Sequence, residues 1–360
     1  MRQHARAFVN SCVRPELERW ERERRYPREQ VAGSGLTGLF AAPSIGGAGL
    51  DFPAAMEVFE ELGRADAALA FSLSMHNAVT AAVCTCDDAG LRERWAERLV
   101  HGRALGGFAL TEPHAGSDAT AISTRLDLPG SVVTGRKAWV SLAGEADLFL
   151  VACRTGTPNG HGDVALVAIE RDQPEVSFPV VYRTAGAHFL PVGEMQLERA
   201  HGTVIAPPGQ GLQAALAAID IARCDIAAIA AGLQAEALAV AVAHARTRTA
   251  FGSRLIDHQG VAFPLADAAT DLEATRLLVR RAADLLGRPG GSVACAHAKR
   301  FGTDAAVRTA IACSEVLGAY GWLDDHPLAR FINLAKMLQV VDGTSEIQRI
   351  VIARSLDHDQ

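Results

Sequence analysis

Three short segments of this sequence carry residues whose types and spacing can do chemistry. The first, Phe108-Ala-Leu-Thr-Glu-Pro-His-Ala-Gly-Ser-Asp118, is polar and glycine-bearing and lies where helical sequence gives way to β-rich sequence. Gly116 permits close backbone approach, and Thr111 and Ser117 offer hydroxyls. The loop can therefore cradle a polar ring edge or a phosphate, although read alone such a segment is more often a solvated turn. The second, Lys137-Ala-Trp-Val-Ser141, reads as a strand whose alternation puts Trp139 and Ser141 on one face. Such a pair suits a flat heterocycle, with the indole as wall and the hydroxyl as partner, although a strand tryptophan is ordinarily core. In the third, Gln339-Val-Val-Asp-Gly-Thr-Ser-Glu-Ile-Gln348, Ser345 and Gln348 fit a capping box for a final helix, leaving Asp342 and Gly343 just outside its N-terminus. The positive end of that helix is expected to favour an ionised Asp342, and an aspartate so placed also serves as a plain turn residue.

The elements that must position these segments follow from periodicity. Residues 2 to about 102 are helical in pattern, as in Ala54-Ala-Met-Glu-Val-Phe-Glu-Glu-Leu62. The glycine-rich Ile45-Gly-Gly-Ala-Gly-Leu50 lacks both a preceding strand and a following Gly-Lys-Ser/Thr, so it reads as an interhelix turn rather than a phosphate loop. From about 104 to 204 the texture changes to short β-rich runs at 131–134, 139–141, 147–152 and 163–169. After Pro207-Pro-Gly-Gln-Gly211, helical periodicity returns near 212–246, 258–286, 292–320, 327–340 and 345–356. The expected fold is α+β, with a helical domain at 1–103, a small β-domain at 104–210 and a four-helix bundle at 211–360.

Composition narrows the function. A chain of 360 residues with 49% apolar content can bury a large core, and its mixed net charge of −6 offers no basic stripe for nucleic acid. The seven cysteines have no metal-ligand or redox spacing, so reduced thiols and no metal site are expected. No signal peptide is evident and no stretch reads as an uncharged membrane span, which places the protein in the cytoplasm without a membrane partner. Three of the 35 basic residues are lysine, a bias that fits a GC-rich bacterial genome.

Taken in order within a helix-strand-helix frame, the three segments resemble the acyl-CoA dehydrogenase family over essentially the whole chain. The specific matches are Thr111-Glu-Pro-His-Ala-Gly-Ser-Asp118 and Gly343-Thr-Ser-Glu-Ile-Gln348 with Ile352-Ala-Arg354. Supporting matches are Glu60-Glu-Leu-Gly-Arg-Ala-Asp66, Asp220-Ile-Ala-Arg223, Arg248-Thr-Ala-Phe-Gly252, His258-Gln259 and Leu317-Gly318. The resemblance implies FAD, with the flavin ring between the β-domain and the bundle. It places Phe108, Leu110, Thr111, Trp139 and Ser141 around the ring, where the family commonly has threonine at the position of Ser141. It sets Gly116 and Ser117 near phosphates and the acyl-carrier chain, with Ser117, Asp220, Arg223 and Gly343 toward substrate. Arg248, Phe251, His258, Gln259, Leu317 and Gly318 match positions that reach the FAD of a neighbouring subunit, implying a homodimer or homotetramer, and Thr344 and Ser345 complete the adenosine and phosphate side.

Asp342 aligns with the family's catalytic base, ordinarily glutamate. A carboxylate can take the proton alpha to a thioester carbonyl while a hydride leaves the beta carbon, but aspartate reaches about 1.5 Å less far, roughly one C–C bond. An alternative base position beside Arg223 is Ala222, which cannot titrate. Asn333-Leu334 and Glu315 also depart from the family's usual Arg-Asp and glutamine. The implied activity is dehydrogenation of an acyl-CoA or of an acyl carrier protein thioester, the latter resembling enzymes of polyketide extender-unit synthesis that oxidise a small hydroxylated acyl group. An acidic carrier protein would bind a basic mouth in a salt-sensitive way. The competing readings are a flavin monooxygenase and a non-catalytic flavin-binding module.

Overall fold

The computed structural model describes residues 1–156, 163–323 and 326–357. Helices α1 (Arg2–Phe8), α2 (Arg14–Glu23), α3 (Arg28–Ala32), α4 (Phe52–Ala65), α5 (Ala67–Thr85) and α6 (Ala89–Val100) come first. Strands β1 (Gly106–Ala109), β2 (Arg125–Asp127), β3 (Val132–Ser141), β4 (Leu148–Arg154), β5 (Val164–Glu170), β6 (Val176–Ser177), β7 (Val192–His201) and β8 (Thr203–Ala206) follow. The chain closes with α7 (Gly211–Thr247), a small hairpin of β9 (Thr249–Ala250) and β10 (Ser253–Arg254), then α8 (Gln259–Leu285), α9 (Gly291–Leu317), α10 (Pro327–Val340) and α11 (Ser345–Leu356). This is the expected helix, strand, helix order. The chain divides into two compact units, one of residues 1–18, 52–71 and 220–360, the other of 19–51 and 72–219.

In the second unit the strands run β6-β7-β3-β2-β4-β5-β8, with β1 added parallel to β4. β4 is buried along its whole length, so it reads as a continuous apolar run rather than an alternating one. The runs at 131–134 and 139–141 belong to one strand, β3, paired with β7 across two irregularities; the polar stretch at Gly135-Arg-Lys137 hides that continuity in the sequence. His76 ties this unit together: its Nδ1 accepts the Gly106 N–H at 3.0 Å, and its Nε2 faces the Thr37 and Leu99 carbonyls at 3.1 Å each. The Ile45–Leu50 stretch is a turn, and Gly47 packs so tightly that a Cβ there would meet the Ala41 carbonyl at 2.1 Å.

The membrane expectation needs one correction. Ala67–Thr85 contains no Asp, Glu, Lys or Arg and is long and apolar enough to span a bilayer, as is α7. Both are largely buried in protein. The polar side chains of α5 are enclosed as well, with His76, Asn77 and Thr80 each bonded to protein groups, the behaviour of a core helix.

In the first unit α8 and α9 pack as a long antiparallel pair, with α10 and α11 laid against α9. Helices α4 and α7 approach through glycines: a Cβ on Gly63 would sit 2.4 Å from the Ile229 carbonyl, and one on Gly232 2.1 Å from that of Glu60. The expected helix at 292–320 stops at Leu317, where Gly318 takes φ +58 and a short 3-10 turn runs to Trp322.

Candidate active site

In the strand unit, the loop after β1 is fixed to β3 by a buried ion pair. Lys137 Nζ donates to Glu112 Oε1 at 2.8 Å and to the Leu110 carbonyl at 2.9 Å. Glu112 also accepts the Ser123 N–H and hydroxyl at 2.7 Å each and the Thr124 N–H at 2.9 Å. Burial alone would raise the Glu112 carboxyl; the Lys137 ammonium and these donors outweigh it and hold it at about 2. The pair is completed by the Ala138 N–H, which donates to the Thr111 carbonyl at 2.9 Å.

This scaffold presents the predicted flavin residues. Trp139 sits in a bulge of β3 at φ +57 with its side chain 62% exposed, a conformation bulky residues rarely adopt. Tyr182 backs the indole at 4.5 Å between ring centroids and donates its hydroxyl proton to Glu194 at 3.1 Å. Ser141 lies beyond buried Val140 on the more open side, as Trp139 does. The hydroxyls of Thr111 and Ser141, both half-buried, have no hydrogen-bond partner among the described residues. Phe108 and Leu110 are partly buried against the apolar core, whereas Gly116 and Ser117 are exposed, with nothing near a Cβ placed on Gly116.

In the helical unit, Asp342 lies between α10 and α11 at φ +50, followed by Gly343 at φ +91. Both peptide carbonyls are held from outside the loop. Arg223 Nε donates to the Asp342 carbonyl at 3.2 Å, while Lys299 Nζ and Gln348 Nε2 (2.8 Å) donate to that of Gly343. Arg223 is itself braced by Asp220 at 2.9 Å, which also accepts from Ser292 at 3.1 Å. The predicted Asp220, Arg223, Gly343 and Asp342 thus converge on one place, with the arginine committed to the backbone of the aspartate.

The Asp342 side chain keeps some accessible surface, but its Oδ2 is enclosed and has no hydrogen-bond partner among the described residues. Burial pushes its carboxyl up to about 6; Lys299 and Arg223 pull it down only partly. This reverses the expectation from the helix terminus, because desolvation of the carboxylate outweighs the dipole. The capping box is corrected too. Thr344 is the N-cap, accepting the Ile347 N–H at 3.4 Å, while Ser345 is buried and donates to Asp304 at 2.9 Å. Gln348 reaches back to the Gly343 carbonyl rather than to an N-cap amide.

The remaining predicted residues gather at the other end of α7. Arg248 is exposed, with no side-chain partner among the described residues, Phe251 is 100% exposed at the hairpin tip with φ +49, and Gln259 is exposed at the start of α8. His258 Nε2 lies 3.0 Å from the Ala250 carbonyl and so closes the hairpin. Arg248 and Leu317 line an open cavity of about 380 Å³ with His244, Thr247, Tyr320 and His326, and Gly318 stands exposed next to Leu317.

Sequence reasoning missed Glu112, Lys137 as an anchor, and Lys299. A signal was present in the scarcity of lysine: in a chain that otherwise uses arginine there are three lysines, and two of them prove to be fully buried.

Comparison with known proteins settles the ancestry of this arrangement. Residues 1–103, 107–200 and 209–356 match the N-terminal, middle and C-terminal domains of acyl-CoA dehydrogenase. An acyl-CoA dehydrogenase of Bacillus subtilis is 32% identical over 99% of this chain and 97% of its own. The chain belongs to the acyl-CoA dehydrogenase family. The short-chain specific acyl-CoA dehydrogenase of mouse mitochondria is 31% identical over 99% of this chain and 89% of its own. The structure of butyryl-CoA dehydrogenase from Megasphaera elsdenii superposes with a TM-score of 0.93 at 28% identity, covering 99% of this chain and 96% of that one. The protein is therefore a flavoprotein oxidoreductase acting on acyl thioesters, with FAD as its cofactor. Its residues fit that group: the strand unit offers an exposed indole plate beside two free hydroxyls, the chemistry of a flat heterocycle with a polar edge.

Proposed function

We propose that this protein is a cytoplasmic dehydrogenase of short acyl thioesters in which Asp342 is the base that removes the proton alpha to the thioester carbonyl. The observation that carries this reading is the Asp342 carboxylate, with an enclosed, unpartnered oxygen and a value near 6. Such a group is ionised at neutral pH and yet more basic than an ordinary aspartate, which suits general base catalysis near pH 7. A monooxygenase has no use for it. Short acyl groups are supported by the names of the mouse and M. elsdenii relatives.

When bound, FAD supplies the acceptor for the hydride that leaves the beta carbon. Trp139 would stack on the ring, Thr111 and Ser141 would meet its polar edge, and Gly116 and Ser117 would lie toward its phosphates. Thr344 would serve the adenosine side, with Ser345, whose hydroxyl is committed to Asp304, supporting the turn behind it. Arg248, Phe251, His258, Gln259, Leu317 and Gly318 would serve the cofactor of a second copy, which supports a homodimer or homotetramer. Asp220 and Arg223 fix the backbone of the base, and the successive positive φ angles at Asp342 and Gly343 turn the chain sharply where the shorter side chain must be aimed.

Coenzyme A and an acyl carrier protein can present the same thioester, so the test has an arm for each. Anaerobic titration of the yellow holoprotein with butyryl-CoA and with butyryl carrier protein should bleach the flavin with at least one of them. Absence of bleaching with both sinks the proposal; aerobic formation of a flavin hydroperoxide and a hydroxylated product would replace it with monooxygenation.

A further inference from the structure

We infer that Lys299 is a positioning residue for the base: its buried ammonium joins the end of α10 to the start of α11 and so holds the loop that aims Asp342. This rests on the reading of Asp342 as base. Lys299 is fully buried on α9, and its Nζ donates to two main-chain carbonyls that bracket Asp342, Gln339 at 3.4 Å before it and Gly343 after it. An ammonium suits this place because three donors on one atom reach acceptors in different directions. The Gln339 carbonyl belongs to the last turn of α10, where unsatisfied carbonyls carry partial negative charge. Asp342 and Gly343 both hold left-handed conformations, and for the aspartate that is an uncommon backbone state which neighbours must enforce.

Lys299 also acts through charge. The charged groups that act on it are Arg223 from α7, Asp304 on its own helix, Asp342 in the loop and Glu346 from α11, while α10 presents the neutral Gln339 carbonyl. Burial lowers the ammonium to about 8, with Arg223 acting in the same direction and the three carboxylates opposing. Lys299 in turn is the larger of the two influences that restrain the rise of the Asp342 carboxyl. One side chain therefore bears on both the reach and the basicity of the base. Gln348 shares the Gly343 carbonyl without contributing charge, and this separates the two effects.

The test compares Lys299→Met, Gln348→Met and Asp342→Asn holoenzymes in anaerobic flavin reduction across pH. Lys299→Met should slow reduction about tenfold to a hundredfold, since a misplacement of about 1 Å costs roughly that much. It should also move the acid limb of the profile up by about one pH unit, as loss of a nearby cation requires. Gln348→Met should slow reduction and leave the limb in place. A folded Lys299→Met enzyme with wild-type rate and limb overturns the proposal. Should Lys299→Met fail to fold, the wild-type profile decides: a fall in reduction rate above about pH 8 with FAD retained supports the clamp, and a flat alkaline side overturns it. If Asp342→Asn still reduces its flavin, the reading of the base fails and this inference falls with it; if only the Lys299 results are negative, the base stands.

Discussion

Replacing Asp342 by Asn should make the protein more stable while disabling it. A carboxyl whose value rises from 3.8 to about 6 in the fold is penalised for ionising there. The sign follows from linkage: the folded state holds this proton more tightly than the unfolded chain. The penalty is absent below about pH 4, grows between the two values and is complete above about 6. At about 1.4 kcal/mol per pH unit the full gap is about 3 kcal/mol, and partial solvent access discounts it to about 2 kcal/mol. Asparagine removes the charge at nearly constant size and tolerates the left-handed backbone that Asp342 adopts. Urea unfolding of the two holoproteins, followed by far-UV circular dichroism, should therefore favour Asp342→Asn by about 2 kcal/mol near neutral pH and show no difference near pH 4. Equal stability at neutral pH, or a wild-type advantage there, would refute the argument that this carboxylate is held in its site at a cost.

Other expectations concern the scaffold and the cofactor. Lys137→Met leaves Glu112 buried and uncompensated and should cost about 3 to 5 kcal/mol in unfolding experiments, whereas pairing it with Glu112→Gln should recover much of that loss. His76 is depressed to about 4 by burial, so its contribution is present above about 6.5 and is lost as pH falls toward 4; His76→Gln should flatten that part of the wild-type stability profile. Trp139→Ala should weaken FAD binding about tenfold, read as flavin released on gel filtration, as expected for loss of an aromatic stacking surface.

Much of the fold was legible because long helices advertise themselves through periodicity. The run expected at 327–340 is α10, and that at 345–356 is α11. Short strands with polar interruptions were harder, as β3 shows: Lys137 looks like a surface residue until its partner Glu112, 25 positions away, is brought beside it. The candidate site residues stand out in the sequence as types and spacing, but their state does not. The value of Asp342 depends on burial and on Lys299 and Arg223, which lie 43 and 119 residues away and leave no local pattern. The same holds for the helix terminus, where a Ser/Gln spacing suggested a box and the half-buried Asp304 claimed the serine instead.

The most direct test of the central claim is stopped-flow flavin reduction by a short acyl thioester, measured for wild-type and Asp342→Asn proteins that both retain FAD. The wild-type rate should fall about tenfold for each pH unit below about 6, and the variant should be slower by about a hundredfold to ten-thousandfold at neutral pH. A variant that reduces its flavin at the wild-type rate, or a wild-type rate indifferent to acid, would contradict it.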